Sequence, residues 1–364
     1  TTGNDTFNAL PTTLTTFDVI NGGAGTDVMN IANIAGTAYS LPVTTTTISG
    51  IENFVLNQGA DTNLADAVAI NVSTLADARS VVATALEADN ITVTGSGNLT
   101  SVAIAGAGVA TVADSGTNGT ALVATADKIA TVTLSGVTGV GTLSSEALTT
   151  LNLTNAAGLV TNTDTYATDA RALTINATGT NGGVTDAGAT SVTVNIVGAT
   201  AALGTVTTAA ATTANLNVNA ALTAGTLVAA AATTVNYTAN AVVTAGTLTT
   251  AAATTVNVTA NAAITASTLG AATVTALNLA GNSAMTVTQT AATAGVITST
   301  GTGARTLVTA IGTGQTYTGA DGADTISVGA STKAITTAGG DDVVTLTSAT
   351  MGTGGSINAG AGTD

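Results

Sequence analysis

The chain has 364 residues and a formal net charge of −15, it contains neither Cys nor His, and aromatic residues make up 2% of it. Without Cys there is no disulfide framework or thiol chemistry, and without His the commonest general base and the commonest ligand for zinc, copper or iron are missing. The remaining charged atoms are mostly carboxylates, which are hard oxygen ligands suited to calcium or magnesium.

Composition also limits the partners. An acidic chain has no electrostatic attraction to nucleic acid or to an anionic membrane surface. We expect no membrane insertion, because Thr, Asn or Ser interrupts every apolar run before it reaches membrane-spanning length. No signal peptide is recognisable at the N-terminus. The chain begins with Thr1 and ends at Asp364 inside a motif, so we expect a processed or excised part of a longer protein.

The first predicted segment, residues 1–75, is acidic and carries a glycine-rich motif. The motif is the nonapeptide G-G-x-G-x-D-x-U-x, with U a large apolar residue, which is the calcium-binding RTX repeat. The stretch "GGAGTDVMN" (22–30) matches it completely, with Asp27 at the aspartate position. The stretch "GNDTF" (3–7) is half a repeat and contributes Asp5.

The second segment, residues 76–310, contains a repeat of 21 residues over 205–290. Its copies read "TTANLNVNAALTAGTL" from Thr212, "TTVNYTANAVVTAGTL" from Thr233 and "TTVNVTANAAITASTL" from Thr254. Such a period predicts the stacked coils of an elongated parallel β-solenoid or β-helix, in which equivalent residues lie about 4.8 Å apart. Apolar residues in phase should form internal stacks. One such set is Val206, Leu227, Leu248 and Leu269.

Asparagines recur in two phases of the same repeat. They form either amide ladders inside the solenoid or a set of surface turns, since Asn tolerates the left-handed backbone conformation. The two sets are Asn215, Asn236, Asn257, Asn278 and Asn219, Asn240, Asn261, Asn282.

The third segment, residues 311–364, returns to the acidic motif. It contains "GADGADTIS" (319–327), "TAGGDDVVT" (337–345) and the terminal "AGAGTD" (359–364). Two nonapeptides complete one coil, so Asp324 and Asp342, which are 18 residues apart, should lie on the same side of adjacent coils. The nonapeptide between them has Lys333 at the aspartate position, and we expect no calcium on that side of the coil.

These motifs predict RTX-type calcium-binding β-roll turns. Aspartates of adjacent coils would face one ion, turn carbonyls would complete a shell of about six oxygens, and glycine lets the backbone curl around the cation. The alternative is that the aspartates merely cap turns. The predicted calcium residues are Asp5, Asp27, Asp321, Asp324, Asp342 and Asp364, with Gly3, Gly22, Gly25, Gly319, Gly322, Gly340, Gly360 and Gly362.

The other acids give no clear pattern. Solvated surface is the default interpretation, and one of the pairs could bind a further calcium ion at a subunit contact. The paired acids are Asp61 with Asp66 and Asp164 with Asp169, and the isolated ones are Asp18, Glu52 and Asp114.

Several stretches give the chain a family resemblance. They are "GGAGTDVMN" (22–30), "TISGIENFVL" (47–56), "DKIATVTLSGV" (127–137), "SSEALTTLNLT" (144–154) and residues 322–364. In these stretches the chain resembles the RTX-type bacterial surface-layer (S-layer) proteins of the Caulobacter type.

The resemblance implies type I secretion, folding on contact with calcium outside the cell, and assembly of copies into a two-dimensional lattice over the outer membrane. It also implies attachment to lipopolysaccharide, through a region missing from this chain. The function expected is therefore that of a calcium-assembled structural protein at the cell surface.

Two other functions are considered. A type I-secreted adhesin or biofilm matrix protein would share the RTX turns and the Thr-rich repeats. An enzyme is not expected, because a chain with five Lys and Arg residues and no His has few groups for acid–base or nucleophilic chemistry.

Overall fold

The computed structural model describes residues 2–15, 17–32, 39–41, 47–59, 66–114, 127–163, 171–198, 201–270, 273–289 and 294–364. These residues form strands, turns and bends, with no helix among them. Their parallel strands stack into the turns of a β-solenoid, about 15 in all. The predicted all-β, parallel solenoid is therefore confirmed. Within the same ranges there is accordingly no helix capable of spanning a membrane.

The chain forms two compact units. The first is Thr1–Asn176 with Thr180–Gly188, and the second is Ala177–Gly179 with Ala189–Asp364. The division into three segments by charge stays a prediction.

Strands β1 to β18 are β1 (Thr6–Ala9), β2 (Val19–Asn21), β3 (Val28–Ala32), β4 (Tyr39–Ser40), β5 (Thr47–Ser49), β6 (Asn53–Asn57), β7 (Ala67–Asn71), β8 (Ser80–Thr84), β9 (Asn90–Thr94), β10 (Ser101–Ala105), β11 (Ala110–Ala113), β12 (Thr131–Ser135), β13 (Gly141–Ser144), β14 (Thr150–Thr154), β15 (Val160–Asn162), β16 (Ala172–Thr178), β17 (Thr180–Asn181) and β18 (Val184–Asp186). Strands β19 to β35 are β19 (Ser191–Ile196), β20 (Ala201–Thr207), β21 (Thr213–Val218), β22 (Leu222–Val228), β23 (Thr234–Ala239), β24 (Gly246–Thr249), β25 (Thr255–Ala260), β26 (Ile264–Gly270), β27 (Ala276–Ala280), β28 (Met285–Gln289), β29 (Ala294–Ser299), β30 (Arg305–Leu307), β31 (Gly314–Thr318), β32 (Asp324–Val328), β33 (Ala334–Thr336), β34 (Val343–Leu346) and β35 (Ser356–Asn358).

Two large parallel sheets build each unit, and the chain alternates between them as it completes its coils. The first unit has in addition a two-stranded parallel sheet of β2 and β5. In the first unit one sheet runs β1–β3–β6–β8–β10–β12–β14, and the other contains β4–β7–β9–β11–β13–β15–β18. In the second unit one sheet runs β19–β21–β23–β25–β27–β29–β31–β33–β35. The other runs β20–β22–β24–β26–β28–β30–β32–β34.

The core forms because apolar and polar residues alternate along the strands. In β21, Ala214, Leu216 and Val218 are buried, whereas the residues between them are half-exposed. Successive side chains of a strand point to opposite faces, so every second residue enters the solenoid. The core is thus built mainly from aliphatic side chains, with a few buried aromatic residues such as Phe54, Tyr237 and Tyr317.

The 21-residue repeat sets the register of adjacent coils. Thr213 pairs with Thr234, which in turn pairs with Thr255. The predicted internal stack is present, with every member at most 3% exposed. Its members, paired in order, are Val206, Leu227, Leu248 and Leu269.

Asparagine ladders are present, but they lie outside the core. Nδ2 of Asn236 donates to Oδ1 of Asn215 at 2.8 Å, and Asn257 and Asn278 continue this ladder at the same distance. These side chains are on the outer face of the strands and are half-exposed or exposed. The second ladder, Asn219, Asn240 and Asn261, lies in exposed turns. The prediction of an internal ladder is wrong, because the inward positions are taken by apolar side chains.

The 18-residue period holds between β31 and β33 and between β32 and β34. Strands β32 and β34 pair with each other in one sheet, while β33, which lies between them in sequence, pairs with β31 and β35 in the other. Lys333 comes directly before β33 and therefore sits on the side away from Asp324 and Asp342, as the spacing predicts.

Candidate calcium sites

Asp27 lies at the inner edge of the glycine-rich turn that leads into β3. Its side chain is 0% exposed, because it faces the same way as the buried Met29. Oδ1 accepts a hydrogen bond from the backbone N–H of Asp5, in the preceding coil, at 2.7 Å. Oδ2 is buried and has no hydrogen-bond partner among the described residues. Half of this carboxylate is therefore satisfied by the neighbouring coil, and half is not.

Asp324 and Asp342 repeat this arrangement at the other end of the chain. The backbone N–H of Asp324 donates to Oδ1 of Asp342 at 2.7 Å, and that of Asp342 donates to Oδ1 of Asp364 at 3.0 Å. Asp324 and Asp342 are 1% and 3% exposed. Oδ1 of Asp324 and Oδ2 of Asp342 are buried and unpartnered within the described ranges. We call each such series of aspartates in successive coils a carboxylate ladder.

Buried, unpaired carboxylate oxygens favour a bound cation. An ionised carboxylate in a dry environment is costly unless it is paired or coordinates a metal, and oxygen ligands suit calcium. Groups of three or more His, Cys, Asp or Glu side chains able to hold a metal ion do not occur in the described part of the chain. Backbone carbonyls would therefore have to complete the shell, which is common for calcium.

The first glycine of each motif keeps a space open beside the carboxylate. A Cβ added to Gly22 would lie 2.5 Å from Oδ2 of Asp27 and would collide with the carbonyl oxygen of Gly50. A Cβ added to Gly319 would meet Oδ2 of Asp324 at 2.5 Å and would collide with the carbonyl oxygen of Thr337. The space that the methyl group would occupy is thus lined by a carboxylate oxygen of the same turn and by a backbone carbonyl oxygen of the next coil. This donor set fits a hard cation.

A second set of glycines, two residues before each motif aspartate, lets the turns stack closely. A Cβ on Gly25 would lie 2.5 Å from the carbonyl oxygen of Gly3, and one on Gly340 would lie 2.8 Å from the carbonyl carbon of Gly322. Only a residue without a side chain permits this approach. The stacked pairs are Gly3–Gly25, Gly303–Gly322, Gly322–Gly340 and Gly340–Gly362.

The turn at 337–342 keeps the motif backbone although it has lost two glycines. Four residues before the motif aspartate, φ is +94° at Gly23, +91° at Gly360 and +75° at Ala338. An alanine in this left-handed region is strained by roughly 1–2 kcal/mol relative to glycine. The stacking of the coils thus imposes the turn shape even where the local sequence opposes it.

The remaining predicted residues differ in how far they join the ladders. Asp5 joins the ladder by donating its backbone N–H to Asp27. Asp364 is exposed, and Asp321 is exposed outside the ladder. A Cβ on Gly3 would meet nothing within 4 Å, so steric contact does not explain that glycine.

Two of the other acids are buried and are not on the solvated surface. Asp18 caps an exposed turn by accepting the N–H of Thr15 at 2.6 Å. Asp114, however, is 5% exposed and accepts the N–H groups of Lys128 and Ile129. Asp66 is buried too, so the solvated interpretation is wrong for these two. Asp61, Asp164 and Asp169 lie outside the described residues.

Sequence reasoning missed Glu52 as a member of a ladder. Its Oε2 accepts the backbone N–H of Asp27 at 2.7 Å, so the first unit has a series Asp5, Asp27, Glu52 in three successive coils. The only signal is its position directly before β6, which is equivalent to the position of Asp27 before β3. A spacing of 25 residues between the two hides this from a search for nonapeptides.

Tyr317 is a second group that the sequence did not reveal. Its hydroxyl donates to Oδ2 of Asp324 at 2.7 Å inside the core, and burial raises the pKa of this hydroxyl. Burial also raises the pKa of Asp324 from 3.8 to about 6, although the hydrogen bond from Tyr317 opposes the rise. The neighbouring Asp342 carboxylate adds to it.

This shift predicts opposite effects of pH with and without calcium. Because the folded pKa of Asp324 is raised, its contribution to stability is complete below the unfolded value of 3.8 and is lost as pH rises through about 6. The full shift corresponds to about 3 kcal/mol, of which about 2 kcal/mol is still present at pH 4.5. Calcium-free coils over 319–346 should therefore be less stable at pH 7.5 than at pH 4.5 by about 2 kcal/mol. Calcium affinity should rise over the same interval, because the ion displaces the proton.

The measurement is pulse proteolysis in urea at several pH values, in buffers freed of calcium by a chelating resin. Asp324→Asn is the control and should flatten the pH dependence that begins near pH 6. A wild-type protein whose calcium-free stability at these coils rises from pH 4.5 to 7.5 would contradict the prediction.

Neither a family model nor a curated protein matches this chain. The assignment of function therefore depends on the fold and on the two ladders.

Proposed function

We propose that this chain is a structural S-layer protein of the RTX type, which folds and self-assembles into a two-dimensional lattice when calcium binds its glycine turns. The observation that carries the proposal is the carboxylate ladder at each end of the chain, with buried oxygens at Asp27, Asp324 and Asp342 that have no hydrogen-bond partner among the described residues. Each ladder links successive coils, so a cation bound there would stabilise the stacking itself.

The residues that would hold the ion come from adjacent coils. In the second unit these are Asp324 and Asp342, together with carbonyls of the glycine turns, and in the first unit Asp27 with Asp5 or Glu52. The bound ion would supply positive charge and accept oxygen ligands. The glycines keep carbon away from the place where carboxylate and carbonyl oxygens converge. Asp321 and Asp364, which are exposed, would be available for ions at the rim.

Charge couples this binding to folding. The chain has twenty acidic residues, seventeen Asp and three Glu. Where calcium is scarce, as in the cytosol, these carboxylates repel one another, so the chain would stay unfolded for export. Outside a Gram-negative cell calcium would bind the folded coils and not the unfolded chain, so binding free energy adds to folding free energy.

The outer surface suits repeated contacts between identical copies. In the repeat array the outward side chains of the strands are mainly Thr and Asn, and asparagines form ladders there. Between Asp186 and Asp321 the one charged residue is Arg305, so like-charge repulsion between neighbouring arrays would be small. The proposed partner is therefore another copy of this chain.

Calcium titration of the chelated protein tests the proposal, with circular dichroism and negative-stain electron microscopy on the same samples. We expect a gain of β-structure and two-dimensional sheets over the same calcium range, and magnesium at equal concentration should be much less effective. Folding into β-structure without sheets would favour the secreted adhesin. A protein equally folded and unassembled with and without calcium would contradict both.

A further inference from the structure

Arg305 is a buried cation at the end of the second carboxylate ladder. It is 0% exposed and is the largest fully buried side chain among the described residues. Nη2 donates to the carbonyl oxygens of Gly281 at 2.7 Å and Thr300 at 3.0 Å, and Nη1 donates to that of Ser283 at 3.1 Å. Nε donates to the hydroxyl of Ser299 and Nη1 makes a longer contact to the carbonyl of Ala304. The guanidinium is thus surrounded by oxygens from two successive turns.

The turn that contains Arg305 is of the same type as the acidic turns. The sequence "TGTGARTLV" (300–308) has the motif's glycines at Gly301 and Gly303, and φ at Gly301 is +90°. Gly303 stacks under Gly322 as Gly322 stacks under Gly340. Aligned on these glycines, Arg305 occupies the position of the motif aspartate.

The same position changes character from coil to coil. Ile264 pairs with Met285, Met285 with Arg305 and Arg305 with Asp324, and Asp342 follows in the next coil. The column therefore passes from apolar side chains to a cation and then to carboxylates. At Arg305 the carbonyl oxygens of two turns surround the chain's own positive charge.

We infer that Arg305 is a built-in cation, whose guanidinium takes, between the turns 281–285 and 300–305, the place that calcium takes between the acidic turns. This inference rests on the proposed calcium step. The inference divides the second unit by its need for metal. The coils up to Arg305 fold without calcium, and the coils from Asp324 onward require calcium. Arg79 holds the equivalent position after Glu52 in the first unit, but it is exposed and its guanidinium donates to Ala76 and Ala78 of its own turn, so the inference does not extend to it.

Hydrogen exchange of the wild-type protein with and without calcium tests the boundary. We expect those amides of 305–308 that donate to the preceding coil, such as Val308 to Val287, to be equally protected in both buffers. Amides of 324–328 and 343–346 should be protected at least tenfold more with calcium. Equal calcium dependence of 305–308 and 324–328 would overturn the inference. Calcium-independent protection of all three would overturn the proposed calcium step instead.

A charge reversal tests the site itself. Arg305→Asp converts the turn to an acidic one, so the variant should bind one calcium ion more per chain than wild type in equilibrium dialysis, and 305–308 should become calcium-dependent. Arg305→Met, which copies Met285 of the preceding coil, is the matched control and should bind the wild-type number. An Arg305→Asp protein that folds and binds no extra calcium would overturn the inference. If it does not fold, the wild-type exchange pattern decides.

Discussion

Calcium should stabilise the C-terminal coils of the wild-type protein by about 3 kcal/mol at a concentration about 100 times the dissociation constant, and the double variant Asp324→Asn/Asp342→Asn should gain less than about 1 kcal/mol. Asparagine keeps the Oδ1 acceptor that the N–H of Asp324 uses at position 342, so the coils can still stack. What is lost is the negative charge of the two buried oxygens that have no partner among the described residues. Without calcium the variant should be close to wild type in stability, because the removal of two buried charges is offset by the lost attraction between Asp324 and the buried Arg305.

Hydrogen exchange followed by mass spectrometry measures this effect locally, which matters because solenoid coils need not unfold as one unit. Peptides from 319–346 report on the ladder, and peptides from 213–260 report on the repeat array, where little change is expected. Asp341→Asn is the matched control. It removes the same charge from an exposed side chain, and Asn4 shows that an amide can accept the equivalent N–H bond, since Asn4 bonds to Thr26 as Asp341 bonds to Thr363. An equal calcium gain in wild type and double variant would exclude Asp324 and Asp342 as ligands.

Gly340→Ala should destabilise the same coils by about 3 kcal/mol or more, with or without calcium. At φ +123° the backbone is in a region nearly closed to other residues, which alone costs about 1–3 kcal/mol. The new methyl group would also lie 2.8 Å from the carbonyl carbon of Gly322, and two stacked backbones cannot separate without breaking the sheet. Ala338→Gly, in the same turn, should have the opposite sign and stabilise by about 1 kcal/mol, because the left-handed strain is relieved.

Urea unfolding monitored by pulse proteolysis compares the two variants with Gly339→Ala. A Cβ on Gly339 would be 3.2 Å from the movable, exposed Asp321 side chain and 3.7 Å from the nearest backbone atom, so its effect should stay below about 1 kcal/mol. Similar losses for Gly339→Ala and Gly340→Ala would show that the close stacking of turns is not what the glycines provide.

Local pattern was sufficient to predict much of this protein. The 21-residue period determines the register of Thr213, Thr234 and Thr255, because identical residues repeat every coil and a slip by one would turn the apolar side chains outward. The 18-residue interval likewise places Asp324 and Asp342 in adjacent coils. Glycine spacing marks the turns, since close stacking requires the absence of a side chain.

Other features were decided by contacts between coils that no short pattern encodes. Tyr317 comes from the opposite sheet to bind Asp324, Glu52 extends the first ladder across an irregular interval, and the asparagine ladders lie outside because apolar residues take the inward positions. Arg305 is buried because two successive turns surround it with carbonyl oxygens. The sequence by itself thus determined the period and the turns, which depend on neighbouring residues. Tertiary structure decided which side chains meet across the core, because that depends on how coils of unequal length stack.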